Sequence, residues 1–452
     1  MSGFERFGSW SAASPALAAL TFLTAVLLLA PRGAEAVPSY ARQTGQECAA
    51  CHNGFPELTP YGRLFKLNGY TFGGGTSEYP PVAAMLVPSF THTQAGQPGG
   101  AAPHFGANNN FTATGSLFYW AGAITRNIGS FTQATYDYTT RRFSWDNTDL
   151  RFADTTSVLG RELVFGASLN NNPTVSDIWN STPAFGFPFL SSELAPTPAA
   201  KTLIEGGLAQ KVVGATAYGY WGRLVYAEAG LYRGLSVRSL TTLGIDSTGT
   251  DAIKNVAPYW RLAVEPKWGQ SSLELGTFGL AVNRIPGRVR EFGTDHIVDV
   301  GIDSQYQFLG ARDSFSVQAR WIAENDNFTA SQATGGTTNS RDHLRSWNAK
   351  ATYYYDQTYG LTLGYFNIAG SDDPALYTGS AAGSPNSRGW IGELDYIPFN
   401  HGGPSFWPWL NVKLGLQYVY YERFNGGQVN FDGAGRNAHD NNTIFAFAWI
   451  AF

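Results

Sequence analysis

The residues best placed to do chemistry are two cysteines and a histidine in the string Cys48-Ala49-Ala50-Cys51-His52. C-x-x-C-H is the pattern of covalent c-type haem attachment, in which each thiol adds to one vinyl group and the histidine ligates the iron. A spacing of one helical turn places the two sulfurs at a distance that suits the two vinyl groups. It also directs the imidazole of the following residue, His52, at the iron. The sequence therefore predicts one haem c, bound by Cys48, Cys51 and His52, with His52 as the metal ligand and no separate catalytic residues.

Other uses of the two cysteines fit the sequence less well. A disulfide is the usual reading of two cysteines in an exported chain, but it does not explain the histidine that directly follows Cys51. A thioredoxin-type redox pair needs a βαβ context, and a zinc site needs two more ligands at short spacing. The sequence has neither feature.

A short helix is predicted after the motif. Thr59-Pro60 forms an N-terminal helix signal and Asn68-Gly69 a stop signal. Tyr61, Leu64 and Phe65 fall on one face, which suits either a haem wall or an ordinary core stripe.

The segment from Val37 to Tyr79 is predicted to be the haem domain. At about 40 residues it is close to the size that needs outside support to fold. The haem supplies part of that support, and a neighbouring structure must supply the rest. Arg42, Arg63 and Lys66 could neutralise haem propionates, although solvated surface is the more common role for any one of them.

The first 36 residues are predicted to be a signal peptide. Residues Pro15 to Ala30 are almost wholly apolar, and Ala34-Glu35-Ala36 has the small-x-small pattern of a cleavage site, which places cleavage after Ala36. The basic n-region is weak because Glu5 offsets Arg6, so an uncleaved anchor is the alternative.

The composition indicates strands and turns. Charged residues make up 14% and aromatic residues 15%, with 52 glycines, where an average soluble domain is about 25% charged. The formal net charge of −4 gives no basic patch for nucleic acid, so no nucleic-acid partner is predicted.

Residues 80–452 are predicted to form an outer-membrane porin-like β-barrel. Leu410 to Tyr421 alternates strictly, with Leu414, Leu416 and Tyr418 on the apolar face and Trp407 and Trp409 at one end as an aromatic girdle. The sequence contains about 16 such segments, an even number as bacterial barrels require. They begin near Val82, Phe111, Ile128, Arg142, Arg161, Gly207, Leu224, Ala257, Ser271, His296, Phe315, Trp347, Gly360, Trp390, Leu410 and Thr443.

The connections alternate between long and short, which places both termini in the periplasm. The last segment ends in Phe452, with Ile444, Ala446, Ala448 and Ile450 on one face, and is similar to the C-terminal signal of outer-membrane proteins. A soluble β-sandwich or propeller is the alternative fold.

One family resembles this chain along the whole mature sequence. Residues Ala41 to Tyr70 (ARQTGQECAACHNGFPELTPYGRLFKLNGY) resemble the N-terminal signature of the fused outer-membrane cytochrome–porins, whose best-known members are iron oxidases. Asn170 to Gly186, Leu194 to Ala200 and Gly389 to Pro398 are similar as well. The resemblance implies a monohaem cytochrome that plugs a porin-like barrel and moves electrons inward from an extracellular donor.

The distal ligand of the haem iron is open. Met85 is the only methionine after the predicted cleavage site, and its place on the first strand suggests that it faces the lumen. It is therefore a candidate ligand, or else a gap-filling apolar side chain. The other histidines and a vacant position remain possible.

Three functions are compatible with these features. The first is an electron-transfer protein of the outer membrane that takes electrons from extracellular Fe(II), as an Fe(II) oxidase would, or from another donor and passes them to a periplasmic cytochrome or other carrier. The second is a diffusion porin with a structural or gating haem plug. The third is a soluble periplasmic redox enzyme. In the predicted outer loops, Asp372-Asp373 and His439-Asp440 could contact a donor, but such residues are more often part of solvated turns.

Overall fold

The computed structural model describes residues 38–73, 80–113, 115–402 and 409–452. The predicted signal peptide, its cleavage site and Trp407 lie outside these residues. The helices are α1 (Pro38–Thr44), α2 (Cys48–Cys51), α3 (Pro60–Leu67), α4 (Val237–Thr242) and α5 (Thr329–Ala333). Among the described residues, no helix has the length and apolar character needed to cross a membrane.

Strands are the main regular structure of the described chain and belong to one sheet. They are β1 (Val82–Leu86), β2 (Pro88–Thr93), β3 (Asn110–Ala113), β4 (Ser116–Ala123), β5 (Ile128–Asp137), β6 (Arg142–Val158), β7 (Arg161–Asn170), β8 (Val212–Trp221), β9 (Val225–Gly234), β10 (Ala252–Ile253), β11 (Ala257–Val264), β12 (Lys267–Trp268), β13 (Ser271–Ile285), β14 (Asp295–Leu309), β15 (Asp313–Asn327), β16 (Arg341–Tyr355), β17 (Tyr359–Gly370), β18 (Ser387–Tyr396), β19 (Asn411–Arg423) and β20 (Thr443–Ala451).

The sheet closes into a barrel. Both β1 and β2 pair antiparallel with β20, the last strand, so the first and last strands are joined. β1 and β2 form one barrel strand, β3 and β4 the next, and β10, β11 and β12 together pair with β13 as another. The described part of the chain therefore forms a closed antiparallel barrel of sixteen strands, which confirms the predicted β-barrel and leaves no free sheet edge. The cytochrome plug stays a prediction.

Side chains alternate between the two faces of the barrel. In β11, Trp260 and Leu262 are exposed on the outside whereas Tyr259 and Arg261 are buried inside. β19 follows the predicted pattern, with Leu416 outside and Gln417 inside. The outward residues form an apolar band that includes Leu231, Leu262, Leu275, Ile302, Leu361, Leu363, Leu394 and Leu416.

Such a band around a closed barrel is the surface that a lipid bilayer requires. It excludes the soluble sandwich and propeller alternatives, and with them the soluble periplasmic enzyme. The predicted location in the bacterial outer membrane is confirmed.

Most short connections lie at one end of the barrel and most long connections at the other. Turns 222–224 and 356–358 belong to the short-turn end, and the connections 171–211 and 424–442 start from the other end. In outer-membrane barrels the short turns are periplasmic and the long loops are extracellular. The short-turn end of this barrel is accordingly the periplasmic end.

One predicted strand begins later than expected. The sixth barrel strand was expected near Gly207, but β8 starts at Val212. Residues before it form turns, and Ile204 and Leu208 of this stretch pack with Val212 inside the barrel. The whole connection 171–211, called the inward loop below, folds into the lumen, where Trp179 is fully buried.

A charge on the outer band should destabilise the protein. Ile302 lies at the middle of β14 and is 53% exposed on the outside. Ile302→Arg is expected to lower the free energy of unfolding by roughly 2–4 kcal/mol, because a charged side chain that faces lipid at the midplane of the bilayer has a high free-energy cost. Urea unfolding in lipid vesicles measures this change.

The control for Ile302→Arg is Val289→Arg. Val289 is also exposed and apolar, but it lies in the connection after β13, outside the strands. A surface change of this kind is expected to alter the free energy of unfolding by no more than about 0.5 kcal/mol. Equal destabilisation by the two substitutions would contradict the assignment of the lipid-facing band.

Candidate cofactor site

The cysteine motif lies on two small helices at the start of the described chain. α2 spans Cys48–Cys51, and α3 begins at Pro60, where the Thr59 side chain accepts a hydrogen bond from Gly62 N at 3.2 Å. The same hydroxyl donates to Ala50 O at 2.5 Å, which ties α3 to α2. Gly62 lies against the Cys51 carbonyl so closely that a Cβ would collide with it. The predicted helix and its N-terminal cap are confirmed.

Cys48, Cys51 and His52 open onto one cavity inside the barrel. The cavity has a volume of about 410 Å³, within the usual range of cofactor pockets. Residues of the first, second and last barrel strands also line it, among them Met85, Tyr119 and Trp449. Aromatic rings make up much of the remaining wall, namely Tyr40, Phe55, Phe65, Tyr70, Phe131, Phe185 and Phe189.

The His52 ring has a defined orientation. Its Nδ1 lies 3.1 Å from the carbonyl oxygen of Pro56, so Nδ1–H donates and the lone pair is on Nε2. Burial lowers the pKa of His52 to about 4, against the opposing effect of the Pro56 and Glu57 backbone. The imidazole is therefore neutral at physiological pH, the form in which histidine binds metals. A carbonyl on Nδ1 is also the usual outer contact of a metal-binding histidine.

The cysteine side chains complete this donor set. Cys48 is buried, and Asn411 Nδ2 donates to its Sγ at 3.1 Å, while Cys51 is half-buried. Two thiols and one neutral imidazole on an apolar cavity are the groups that covalent haem attachment uses. The three residues singled out in the sequence are thus brought together.

The residues predicted to flank the cofactor lie in different environments. Phe65 lines the cavity, but Tyr61 is exposed and Leu64 packs against another apolar cluster. Arg63 pairs with Glu265 at 2.6 Å and lies outside the cavity wall. Lys66 does line the cavity, and its amine donates to Asp177 O and Asn180 Oδ1.

Lys66 is the cation nearest to the cavity in this set. Burial, together with the Arg151 guanidinium, lowers the pKa of the Lys66 amine to about 7. Arg42 donates to Val82 O and lies over the Trp409 ring at 4.5 Å.

Met85 faces the lumen, as predicted. Its sulfur accepts hydrogen bonds from Tyr119 OH at 3.7 Å and from Trp449 Nε1. Among the described residues lining the cavity, His52 is the only histidine and Met85 the only methionine. His92, His296, His343 and His439 contact partners elsewhere: Asn109, Asn283, Ser371 and Tyr420.

Met85 ligation of a haem iron can be tested spectroscopically. Replacing Met85 with alanine is expected to abolish the absorption band of the ferric protein at the red edge of the visible spectrum. It should also lower the reduction potential, because a methionine ligand raises it. Val87→Ala, a truncation two residues along the chain at a buried position outside the cavity wall, should leave both unchanged. A band that survives in Met85→Ala would rule out methionine ligation.

A buried polar network joins residues 38–73, called the N-terminal segment, to the barrel wall. The Glu57 carboxylate pairs with the Lys350 amine at 2.6 Å and accepts hydrogen bonds from Ser316 at 2.9 Å and Gln307 at 3.0 Å. Burial opposes ionisation of Glu57, but Lys350 and hydrogen bonds from Asn53 and Ser316 hold its carboxyl pKa below the ordinary value.

Sequence reasoning missed this network. Its only signal in the sequence is a lysine at a lumen-facing position of a strand, Lys350.

The loop carboxylates considered as donor contacts have structural roles. Asp373 accepts hydrogen bonds from the backbone N–H groups of Thr338 and Asn339, both at 2.8 Å. Asp440 accepts one from Asn437 N at 2.7 Å as part of a capping box. Both residues organise turns in the connections at the extracellular end.

Comparisons with known proteins give the following results. No family model and no curated protein matches the chain. Among solved structures, it is similar to an anion-selective porin of Comamonas acidovorans (10% identity, 82% of this chain and 98% of that chain, TM-score 0.45). It is also similar to the outer-membrane channel DcaP of Acinetobacter baumannii (13%, 82% and 96%, TM-score 0.42) and to Salmonella typhi OmpF (11%, 82% and 97%, TM-score 0.42).

The barrel assignment itself rests on the strand pairing and the apolar outer band. On those two observations, the described chain is a sixteen-strand β-barrel of the bacterial outer membrane with an N-terminal segment and an inward loop in its lumen.

Proposed function

We propose that this protein is a fused outer-membrane cytochrome–porin that moves electrons from an extracellular donor, Fe(II), to a periplasmic carrier. The observation that carries the proposal is the convergence of Cys48, Cys51 and His52 on one aromatic-walled cavity inside a closed barrel. The resemblance of residues 41–70, which include these three residues, to the cytochrome–porin signature also supports it.

The residues present fit a covalent haem. A haem attached there would supply a redox centre that takes up and gives back one electron. Cys48 and Cys51 would form the two thioether bonds by adding their S–H groups across the vinyl groups. His52 would bind the iron through Nε2, while the Pro56 carbonyl holds the ring in place.

The motif lies at the periplasmic end of the lumen. Ala49 N donates to Asn400 O at 3.3 Å, and Asn400 belongs to the connection before β19 at the short-turn end. His401 of the same connection lies 3.8 Å from Glu47. A carrier in the periplasm could therefore approach the half-buried Cys51 and His52, which supports the proposed direction of transfer.

The inward loop and the N-terminal segment occupy part of the lumen between the two ends. The inward loop places Trp179 against Tyr226, at 5.4 Å between ring centroids, and packs on Leu67 of the N-terminal segment. A loop packed in this way hinders the diffusion of solutes through the lumen.

Anaerobic reduction by Fe(II) tests the proposed donor. The oxidised, haem-loaded protein in detergent is mixed with Fe(II) and followed by visible absorption. Each Fe(II) is expected to lose one electron and become Fe(III), and each haem to gain one. Dithionite serves as a positive control for a reducible haem. Reduction by dithionite without reduction by Fe(II) would overturn the iron assignment and leave the haem in place.

A diffusion porin with a structural or gating haem plug is the second candidate. The closed sixteen-strand barrel favours it, because barrels of 16 to 18 strands form the aqueous channels of porins. This candidate predicts steady solute conductance through the haem-loaded protein in planar bilayers. The electron-transfer proposal predicts almost none.

A further inference from the structure

Two arginines lie on the outer face of the barrel at the extracellular end of β16. Arg341 is the first residue of this strand and Arg345 the fifth, and His343 lies between them on the same face. The alternate residues Asp342 and Leu344 are buried on the lumen side. Arg341, His343 and Arg345 therefore face away from the lumen, and they are called the arginine patch below.

The patch begins where the apolar outer band ends. Trp347, two residues from Arg345 on the same face, is 39% exposed. It lies opposite Trp321 of β15, which in turn lies opposite Ile302 of the outer band. The arginine patch is on the extracellular side of these three residues. It is therefore at the level where the headgroups of the outer leaflet meet the barrel.

The side chain of Arg345 is directed towards that level. Asn325 is opposite His343 in the strand register, two residues closer to the extracellular end than Arg345. Arg345 Nη2 donates to Asn325 Oδ1 at 3.1 Å, and Nη1 donates to the Glu324 backbone oxygen at 2.6 Å. A long basic side chain that extends from an apolar surface to the interface in this way keeps its charge among polar groups. The guanidinium is thus held at the level of His343.

The outer face of the protein does not balance the charge of the patch. Arg388, at a comparable outward position on β18, pairs with Glu422 at 2.9 Å. Within the described residues, no ion pair reaches Arg341 or Arg345. The outward residues beside the patch on β15 and β17 are uncharged, namely Asn325, Asn327, Asn367 and Ala369.

An open cavity of about 440 Å³ lies at the patch. The patch residues and Asn325 line it on the outer face, and Asp326 and Asp342 reach it from the inner face. Both carboxylates are buried, at 8% and 7% exposed, whereas Arg341 and His343 are exposed. The accessible side of the cavity is therefore its basic side.

A phosphorylated lipid headgroup has the chemistry that fits this surface. The planar guanidinium group binds phosphate oxygens through two parallel hydrogen bonds, and such charge-assisted bonds are the strong ones. The apolar surface at Trp321 and Trp347 is next to the arginines and suits the acyl chains of the same molecule. Free phosphate would match the charge and leave this apolar surface unused. Two arginines offer a site to each of two phosphates.

We propose that the arginine patch binds the headgroup of a bisphosphorylated glycolipid of the outer leaflet, with the acyl chains of the lipid against Trp321 and Trp347. This binding goes beyond the proposed electron transfer and requires neither a haem nor a donor. It fixes one side of the barrel to the lipid of the outer leaflet.

Binding of lipid A, a glycolipid with two phosphates, tests the patch. The full chain in detergent is titrated with lipid A, and native mass spectrometry measures the bound fraction. Arg341→Gln/Arg345→Gln is expected to bind about tenfold more weakly, because two charge-assisted contacts are removed. The control Arg126→Gln/Arg312→Gln makes the same charge change at exposed positions of periplasmic turns. It should bind lipid A as the wild type does.

Two further arms identify the source of the phosphate. Lipid A from which both phosphates have been removed should bind the wild type about as weakly as intact lipid A binds the double variant. An excess of inorganic phosphate should leave intact lipid A bound. Undiminished binding of the phosphate-free lipid, or full displacement by inorganic phosphate, would overturn the assignment to a lipid headgroup.

Arg341→Gln alone guards against misfolding of the double variant. The Arg341 side chain has no ion pair with the described residues, so its replacement should leave the barrel intact, and heat-dependent gel mobility checks this. Lipid A binding should fall by roughly threefold, about half of the free-energy loss in the double variant. Wild-type binding in both patch variants, or an equal loss in the control, would refute the site. Loss of a dimer or trimer from the spectra of the patch variants, with lipid binding kept, would overturn it in favour of a contact between copies of the chain.

Discussion

Replacing Cys48 and Cys51 together by serine is expected to abolish covalent haem attachment completely. The chain contains two cysteines, so the double variant has no sulfur left for a thioether bond. Haem staining on a denaturing gel measures the effect, because only covalently bound haem survives denaturation. Each single variant should keep one thioether bond and show a shifted absorption band, since one vinyl group is then left unsaturated.

The matched control is Ala49→Ser/Ala50→Ser. These residues fill the two variable positions of the motif and do not line the cavity, so haem should be attached as in the wild type. Haem that remains on a denatured Cys48→Ser/Cys51→Ser chain would refute attachment through these cysteines. Loss of barrel assembly along with the haem would show in heat-dependent gel mobility.

The strands could be predicted because their outer face has a single environment. Lipid demands apolar residues at every second position, and that demand is visible in the sequence without knowledge of the interior. Arg142, Ser271 and Thr443 begin strands in the structure as they do in the sequence pattern. Once these strands were located, the lengths of the connections between them could be read from the sequence.

The interior could not be predicted in the same way. Glu57 and Lys350 are 293 residues apart, and nothing in either local sequence indicates the other. A polar residue that faces the lumen has the same pattern whether it contacts water, the inward loop or the N-terminal segment. Arg63 shows the consequence, because its position beside the motif suggested a propionate whereas its partner is Glu265.

Only the part of the candidate site that the motif itself forms could be predicted from the sequence. Cys48, Cys51 and His52 are adjacent in sequence, so their chemistry is local. The part of the cavity lining that includes Tyr119 and Trp449 comes from the second and the last barrel strands. These strands are far apart in the sequence and come together only when the barrel closes. Met85 was identifiable because it is the only methionine that follows residue 36.

Removing the charge of Glu57 should loosen the N-terminal segment inside the barrel. In Glu57→Gln the Lys350 amine stays buried without its carboxylate, which is expected to cost about 3–5 kcal/mol. The population of chains with the segment released should rise by roughly a hundredfold to a few thousandfold. Faster proteolysis between residues 38 and 73 and higher ion conductance in planar bilayers are the two measurements.

Two further variants separate loss of a buried charge partner from a general effect of the substitution. Glu162→Gln breaks an exposed pair with Arg223 at 2.9 Å and should change stability by about 1 kcal/mol or less. In Glu57→Gln/Lys350→Met the stranded charge is gone, so proteolysis and conductance should return towards the wild type. Equal behaviour of Glu57→Gln and Glu162→Gln would contradict the network. Because released segments would open the lumen, the conductance of Glu57→Gln also indicates whether the N-terminal segment is what closes the barrel.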